Sequence, residues 1–374
     1  MLKKSFSVVH IITSLESGGA QTSLHRLLRF SNNNIDNYLI VLKEENDFYD
    51  LSILNKNRIL FLDIKSIYSL LMGIKKSILF IFKNNINILH SWLPHSDIFA
   101  SFIKFFLPTK KVIWSIRYSE LNRKNTKITT LIIIVMLKYL SFIIPSAIIF
   151  CSKRALNFYR KKGFYKKKLF LIYNSVDSAF LIKRDINQYK NNDDKLFTFG
   201  TLSRYHPIKD HITLFKSFAL LPSKLRKRVK LLLAGKGLDK ENLELMNLIK
   251  KYIPDIKVEL YGEIKNVDKY LLSLNIFTLS SLSEGFPNVL AESMALGIPC
   301  ISTDAGDAYK IIGEHGWIVP IKNSIKFSEA ILSAYELSPQ ESEELSFNAR
   351  KRIKLYFSQE KYVNSHFELY ESLL

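Results

Sequence analysis

Cysteine is nearly absent. Cys151 and Cys300 are the only two in 374 residues, too far apart for a zinc ligand pair and too few for a disulfide framework. A reducing cytoplasm is the natural setting. A membrane span is missing too: the most apolar stretch, Ile128–Phe150, has Lys138 near its middle and is broken by Pro145. That stretch is expected to form a buried helix followed by a strand. Near the start, Lys3 and Lys4 precede an apolar run from Phe6 to Ile12, but His10 interrupts it and Glu16-Ser-Gly-Gly19 follows instead of a small-residue cleavage site. A buried first strand is expected there, not a secretory signal. No Asp-x-Asp metal motif occurs, and Ala234-Gly-Lys-Gly237 lacks the third glycine of a dinucleotide fingerprint.

Acidic residues are scarce in one half only. Residues 1–180 hold 27 Lys+Arg against 10 Asp+Glu, whereas the remaining 194 hold 27 against 24. Most of the net charge of +20 therefore sits in the first half. Such a half suits an anionic partner: a membrane surface, nucleic acid or a phosphorylated substrate. Solubilising lysines are the bland alternative. With 47% hydrophobic and 24% charged residues the chain is a folded protein, and its length suits two domains.

Short apolar runs alternate with helical spacers twice over. In the first half strands are expected at Phe6–Ile12, Tyr38–Leu42, Ile59–Leu62, Ile86–Leu89, Lys111–Ile116, Ala147–Cys151 and Lys168–Ile172. Leu24, Leu27 and Leu28 give Gln21–Phe30 helical spacing. A polar stretch, Arg184–Lys195, suits a linker. The pattern then restarts with Phe197–Thr201, Val229–Ala234, Val258–Tyr261, Ile276–Leu279, Cys300–Thr303 and Trp317–Val319. This alternation predicts two α/β domains with parallel sheets, over residues 1–183 and 196–357. In such sheets ligands collect where strands end and loops lead into helices. The last fifty residues look helical, with a capping box at Ser338-Pro-Gln-Glu341.

Four loops at predicted strand ends carry candidate chemistry. Gly18 and Gly19 open the first helix and allow close backbone approach to a ligand, although a plain tight turn uses the same residues. Arg204 and Lys209, five apart in GTLSRYHPIKD, can both point at one diphosphate; a chance pairing among so many lysines is the alternative. Gly235, in the third loop, clears room at a strand end. The fourth loop is SEGFPNVLAESMALGIPC, with Glu284 and Glu292 eight residues apart. Pro287 suits a first helical residue and Gly297 a stop, so Glu284 lies on the turn before a helix and Glu292 in its second turn. The N–H groups of Phe286, Asn288 and Val289, at the positive end of the helix, suit a hydroxyl-rich phosphate ligand. Taken alone, an E-x7-E is more simply a capped helix with two solvated acids.

Together, GTLSRYHPIKDHITLFKSFALL, SEGFPNVLAESMALGIPCISTDAGD and IYNSVDSAF resemble the retaining nucleotide-sugar glycosyltransferases of family 4. The resemblance is strong over Phe197–Pro320, and thinner over Val8–Leu28, Asn87–Ala100 and Lys168–Phe180. It implies a GT-B fold, two Rossmann-like domains facing across a cleft, with a last helix (about 358–374) that returns to the first domain. Arg204 and Lys209 would hold the donor diphosphate, Glu292 the ribose, and Glu284 with the backbone of Phe286, Asn288 and Val289 the transferred sugar. Gly18 and Gly19 would line the phosphates from the opposite wall, and backbone near Gly262–Ile264 would contact the base. No metal or other cofactor is implied.

One position departs from the family. Where many members carry a histidine, this chain has Arg117 in Trp114-Ser-Ile-Arg117-Tyr118-Ser-Glu120; being always charged, it suits a donor or acceptor contact and not a base. His90 and His95, in LHSWLPHSD, are further candidates, each more simply a structural histidine. The implied activity is hexosyl transfer from a nucleotide-sugar to a glycan or lipid-linked acceptor in cell-surface polysaccharide biosynthesis. Alternatives are an epimerase-type enzyme of the same fold and, less well supported, a basic nucleic-acid-binding protein, for which no recognised module is present. Lys161-Lys162 and Lys166–Lys168, interleaved with Phe164 and Tyr165, form the densest basic-aromatic run, suited to the anionic inner face of the plasma membrane.

Overall fold

The computed structural model describes residues 6–16, 18–31, 35–44, 50–117, 128–181 and 196–374. It divides into two compact units: Met1–Ser175 with Gln359–Leu374, and Val176–Ser358. The expected linker Arg184–Lys195 lies outside the described residues.

The first unit is built on a seven-stranded parallel sheet in the order β3-β2-β1-β4-β5-β6-β7. Its strands are β1 (Phe6–Ile12), β2 (Ile35–Val41), β3 (Ile59–Phe61), β4 (Ile88–Trp92), β5 (Lys111–Ile116), β6 (Ala147–Phe150) and β7 (Leu169–Leu171). Runs such as VVHII and AIIF are apolar on both faces because parallel strands are covered on both. One face packs on α2 (Ile67–Lys83), α3 (Pro94–Phe106), α4 (Ile128–Leu140) and α5 (Lys153–Lys161). The other packs on α1 (Gly19–Phe30) through Leu24 and Leu27, and on the final helix of the chain through Tyr362, Val363 and Tyr370.

The second unit has a six-stranded parallel sheet in the order β10-β9-β8-β11-β12-β13. Its strands are β8 (Phe197–Leu202), β9 (Val229–Ala234), β10 (Lys257–Gly262), β11 (Ile276–Leu279), β12 (Cys300–Thr303) and β13 (Trp317–Val319). The helices between and after them are α6 (His211–Ala219), α7 (Ser223–Arg226), α8 (Leu243–Tyr252), α9 (Val267–Leu272), α10 (Asn288–Ala295), α11 (Ala308–Ile312), α12 (Ser324–Tyr335) and α13 (Pro339–Tyr356). The final helix is α14 (Gln359–Leu373), which belongs to the first unit. Ser338 and Glu341 close the expected capping box at the start of α13. The fold is α/β, with two Rossmann-like parallel-sheet units.

Three expectations need correction. Helix α4 exists, but it is not a buried helix: only Ile134 and Leu137 are fully buried, and its outer side is bare. Phe164 is 2% exposed and packs in the core, so the run Lys161–Lys168 is basic without that aromatic. Strand β4 runs to Trp92, three residues beyond the expected end, because His90 and Ser91 are buried with their hydrogen bonds satisfied inside. None of the helices among the described residues is long and apolar enough to cross a membrane.

Candidate active site

In the second unit the chain moves from β8 outward to β9 on one side and later to β11 on the other. The carboxyl ends of β8 and β11 therefore flank the point where the strand order reverses, the usual ligand position in such sheets. The loops leaving these two strands carry Arg204, Lys209 and Glu284.

The loop after β8 is held by its neighbours. Gly235 has φ +126°, and a Cβ there would lie 2.0 Å from the Ser203 carbonyl oxygen. The space expected to serve a ligand is thus filled by the backbone leading to Arg204, and Gly235 seats that loop. The Tyr205 N–H donates to the Lys236 carbonyl (2.8 Å), and the Gly235 N–H donates to the Gly262 carbonyl (2.6 Å), beside half-buried Ile264. Asp210, in the left-handed region, caps α6 by accepting from the Thr213 N–H and hydroxyl.

The same loop is then tied to the end of β11. The Leu282 N–H donates to the Ile208 carbonyl (2.8 Å), and the Ser280 hydroxyl to the Lys209 carbonyl (2.8 Å). With the backbone so fixed, Lys209 Nζ reaches Glu284 Oε1 at 2.6 Å. The Ser281 hydroxyl donates to the same oxygen, also at 2.6 Å. Both charged side chains are largely covered, at 19% and 14% exposure, so water screens the pair weakly. Both bonds are made to Glu284 Oε1.

Two histidines of this loop are held below their ordinary values, first by burial. The His206 imidazole is lowered from its ordinary value by burial and then by the charges of Arg204 and Lys209. His211 is lowered to about 4 by burial, with Lys209 adding to it. Arg204 itself is exposed at the rim. A cationic loop of this kind matches a diphosphate.

Gly306, after β12, supports the turn from behind. Its φ is +60°, and a Cβ would lie 2.3 Å from the Glu284 carbonyl oxygen and 2.5 Å from that of Gly285. The Asp307 N–H donates to the Gly285 carbonyl. Pro287 turns out to be the N-cap of α10, one residue ahead of the helix. Its carbonyl accepts from the N–H groups of Leu290 and Ala291. Glu292 lies in the second turn of α10 and is 6% exposed, while Asn288 and Val289 are half-buried and Phe286 is buried against Phe357. Ser281 and Gly306 were not singled out from sequence. Ser-x-x-Glu before the helix and Ala305-Gly-Asp307 after the next strand were the available signals.

The candidates in the first unit also sit at carboxyl ends of strands. Gly18 and Gly19 open α1 after β1, and exposed His95 lies in the first turn of α3 after β4. The Thr13 and Ser96 hydroxyls bond across these two loops at 3.1 Å, at the switch between β1 and β4. Arg117 follows β5, with its guanidinium carbon 4.5 Å from the Trp92 ring centroid and one N–H donated to Asn174 Oδ1. Tyr118, Ser119 and Glu120 lie outside the described residues.

His90 is structural. It is fully buried, bonded to the Tyr370 hydroxyl (2.6 Å) and the Ser115 hydroxyl (2.7 Å). It belongs to a buried aromatic stack with Trp92, His10 and His366 that no single sequence window reveals. Burial lowers His10 to about 4 and His366 to about 3, and holds His90 well below its ordinary value.

Residues 182–352 match the family described as glycosyl transferases group 1. Among curated proteins, the chain is 30% identical over 173 residues to N-acetylgalactosamine-N,N'-diacetylbacillosaminyl-diphospho-undecaprenol 4-alpha-N-acetylgalactosaminyltransferase of Campylobacter jejuni, covering 46% of this chain and 45% of that one. It is 27% identical over 217 residues to N-acetyl-alpha-D-glucosaminyl L-malate synthase of Bacillus anthracis, covering 56% and 55%. The match thus spans about half the length of these relatives. Among solved structures, Anabaena HepE in complex with UDP superposes with a TM-score of 0.80 at 17% identity, covering 98% of this chain and all of that one. The family match falls within the second unit, and the likeness to solved structures shows the GT-B fold.

Proposed function

We propose that this chain is a retaining glycosyltransferase. It takes a hexosyl group from a nucleotide-sugar held at the β8 and β11 loops and passes it to a glycan or lipid-linked acceptor in cell-surface polysaccharide assembly. The observation that carries this reading is the Lys209–Glu284 pair, 2.6 Å apart and largely covered, with Arg204 at the rim. The group 1 domain match supports it, as does the Campylobacter relative, whose name gives a lipid diphosphate acceptor.

The chemistry follows from where charge develops. The bond from the anomeric carbon to the diphosphate oxygen breaks, and negative charge grows on the leaving group. Lys209 and Arg204 stabilise that charge from fixed positions, so no metal is called upon. The acceptor hydroxyl oxygen forms the new bond to the anomeric carbon on the face the diphosphate leaves, and its proton passes to a phosphate oxygen. Glu284 Oε2 accepts from a sugar hydroxyl, and Glu292 from the ribose. Acceptor recognition is assigned to the first unit, where Arg117 and His95 are the candidate contacts.

Proton NMR of the product tests this reading directly. A product with the anomeric configuration of the donor, formed equally in the presence of EDTA, is the expected result. Inversion would remove the retaining mechanism, and loss of turnover in EDTA would remove the metal-free one.

A further inference from the structure

Helices α2, α3 and α4 cover one face of the first sheet and touch in series, α2 on α3 and α3 on α4. Among the described residues, their outer sides are apolar and uncovered. On α4 the residues Ile128, Ile132, Val135, Tyr139 and Ile143 follow helical spacing along and just past the helix, each more than half exposed and Ile143 79% exposed. Helix α2 repeats the pattern with Tyr68, Leu71, Leu79 and Phe82, and α3 adds Phe102, Phe105 and Phe106. Scattered exposed apolar residues need no explanation, but a continuous three-helix face does.

The charge around this face has one sign. Lys65, ahead of α2, is paired with Asp63 and Glu44, but from Ile67 to Val176 the sequence holds 19 Lys+Arg and its only acids are Asp97 and Glu120. Asp97 is fully buried, so it neutralises nothing outside, and Glu120 lies outside the described residues. Lys75 and Lys76 interrupt the α2 stripe, between Met72 and Leu79, and both are exposed. The basic run Lys161–Lys168 is joined to the end of α4. There the Lys168 ammonium donates to the Phe142 carbonyl (3.0 Å), the Tyr165 N–H donates to the Ser141 hydroxyl (3.1 Å), and the Tyr165 and Phe142 rings pack together. Lys161, Lys162, Lys166 and Lys167 stay exposed beside this joint.

We propose that the α2–α3–α4 face is the surface by which the first unit docks on an anionic lipid bilayer. Its aliphatic and aromatic side chains enter the headgroup and upper acyl layer, and its lysines meet lipid phosphates. Charge decides between the possible occupants. A second copy would bring the same uncompensated lysines face to face, whereas an anionic leaflet supplies the opposite charge. Length decides the depth: the 13 residues of α4 span about 20 Å, short of the roughly 30 Å hydrocarbon core, so the helix lies in the interface and does not cross. This inference stands on the first unit alone and does not depend on the donor chemistry of the second.

Sedimentation with sucrose-loaded vesicles tests it, using phosphatidylcholine with and without 30% phosphatidylglycerol. The wild-type chain is expected to bind only the anionic vesicles, and less tightly in 0.5 M salt. Two variants separate the forces. Ile132→Ser/Val135→Ser/Tyr139→Ser removes exposed apolar area, and Lys161→Gln/Lys162→Gln/Lys166→Gln/Lys167→Gln removes charge; each is expected to weaken binding at least tenfold. A third variant, Ile143→Trp, alters one exposed position and needs no loss of function: its emission is expected to shift to the blue on anionic vesicles. Absence of wild-type binding at millimolar lipid overturns the proposal. So does an Ile143→Trp signal that stays unshifted while the protein sediments, or a wild-type dimer that the Ser variant dissociates.

Discussion

Replacing Lys209 by Met and Glu284 by Gln, singly and together, probes the centre of the proposed donor site. The two side chains share one bond of 2.6 Å, at 19% and 14% exposure. A hydrogen bond between charged groups contributes about 1.5–3 kcal/mol, and with so little solvent contact most of that value survives. Lys209→Met leaves the Glu284 carboxylate with the Ser281 hydroxyl as its remaining partner of the two, so denaturant unfolding should show a loss of about 2 kcal/mol. Glu284→Gln should cost a similar amount. The double variant should lose less than the sum, the two substitutions coupling by about 2 kcal/mol.

Ligand binding separates the two residues by sign. Lys209→Met removes a cation from the diphosphate, so calorimetry should find the nucleoside diphosphate bound about ten- to a hundredfold more weakly. Glu284→Gln frees the Lys209 ammonium from its competitor, so the nucleoside diphosphate should bind as well as before or better. The intact nucleotide-sugar should lose its advantage over the diphosphate, because Glu284 Oε2 no longer accepts from the sugar as a charged group. If both single variants bind the nucleoside diphosphate like the wild type, Lys209 is not a phosphate ligand and the assignment fails.

Two further predictions concern the frame around the site. His10, His90 and His366 are held neutral in the folded first unit with pKa values below that of an unfolded histidine, so below about pH 6.5 the unfolded chain takes up the extra protons. Stability should therefore fall as pH drops, by about 2 kcal/mol for each of His10 and His366 between pH 7 and pH 5, with His90 acting in the same direction. Hydrogen exchange should show β1 and β4 deprotecting before the second unit, which has His211 as its deeply buried counterpart; equal protection at both pH values would refute this. Gly306→Ala should lower the melting temperature of the second unit by about 4–8 °C, for a strain of about 2 kcal/mol where the new Cβ meets the Glu284 carbonyl. It should also reduce transfer at temperatures where the variant is still folded; an unchanged melt would show that the turn does not need the glycine.

Much of the architecture was legible because parallel strands advertise themselves. The bounds expected for β1, β5, β9, β11, β12 and β13 coincide with those observed, since each is an apolar run ended by a polar or glycine-bearing loop. β4 was cut short because the polar His90 and Ser91 interrupt its apolar run, and only Tyr370, Ser115 and Asp97, distant in sequence or on another element, satisfy them inside. At the site, Arg204, Lys209 and Glu284 stood out as a string. Their mutual geometry did not, because it depends on Ser281 and Gly306, whose roles are contacts and not composition. The misjudged segment was α4. A helix apolar on every side looks buried from sequence, and hydrophobicity alone does not say which side the sheet covers.

Nucleotide-sugar binding by the β8 and β11 loops is the premise of the proposed transfer. The most direct measurement is a calorimetric titration of the wild-type chain and Arg204→Ala with a panel of UDP-, GDP-, ADP- and dTDP-sugars. At least one should bind the wild type, and Arg204→Ala should bind it at least tenfold more weakly. Binding of none, or binding indifferent to Arg204, would contradict that premise.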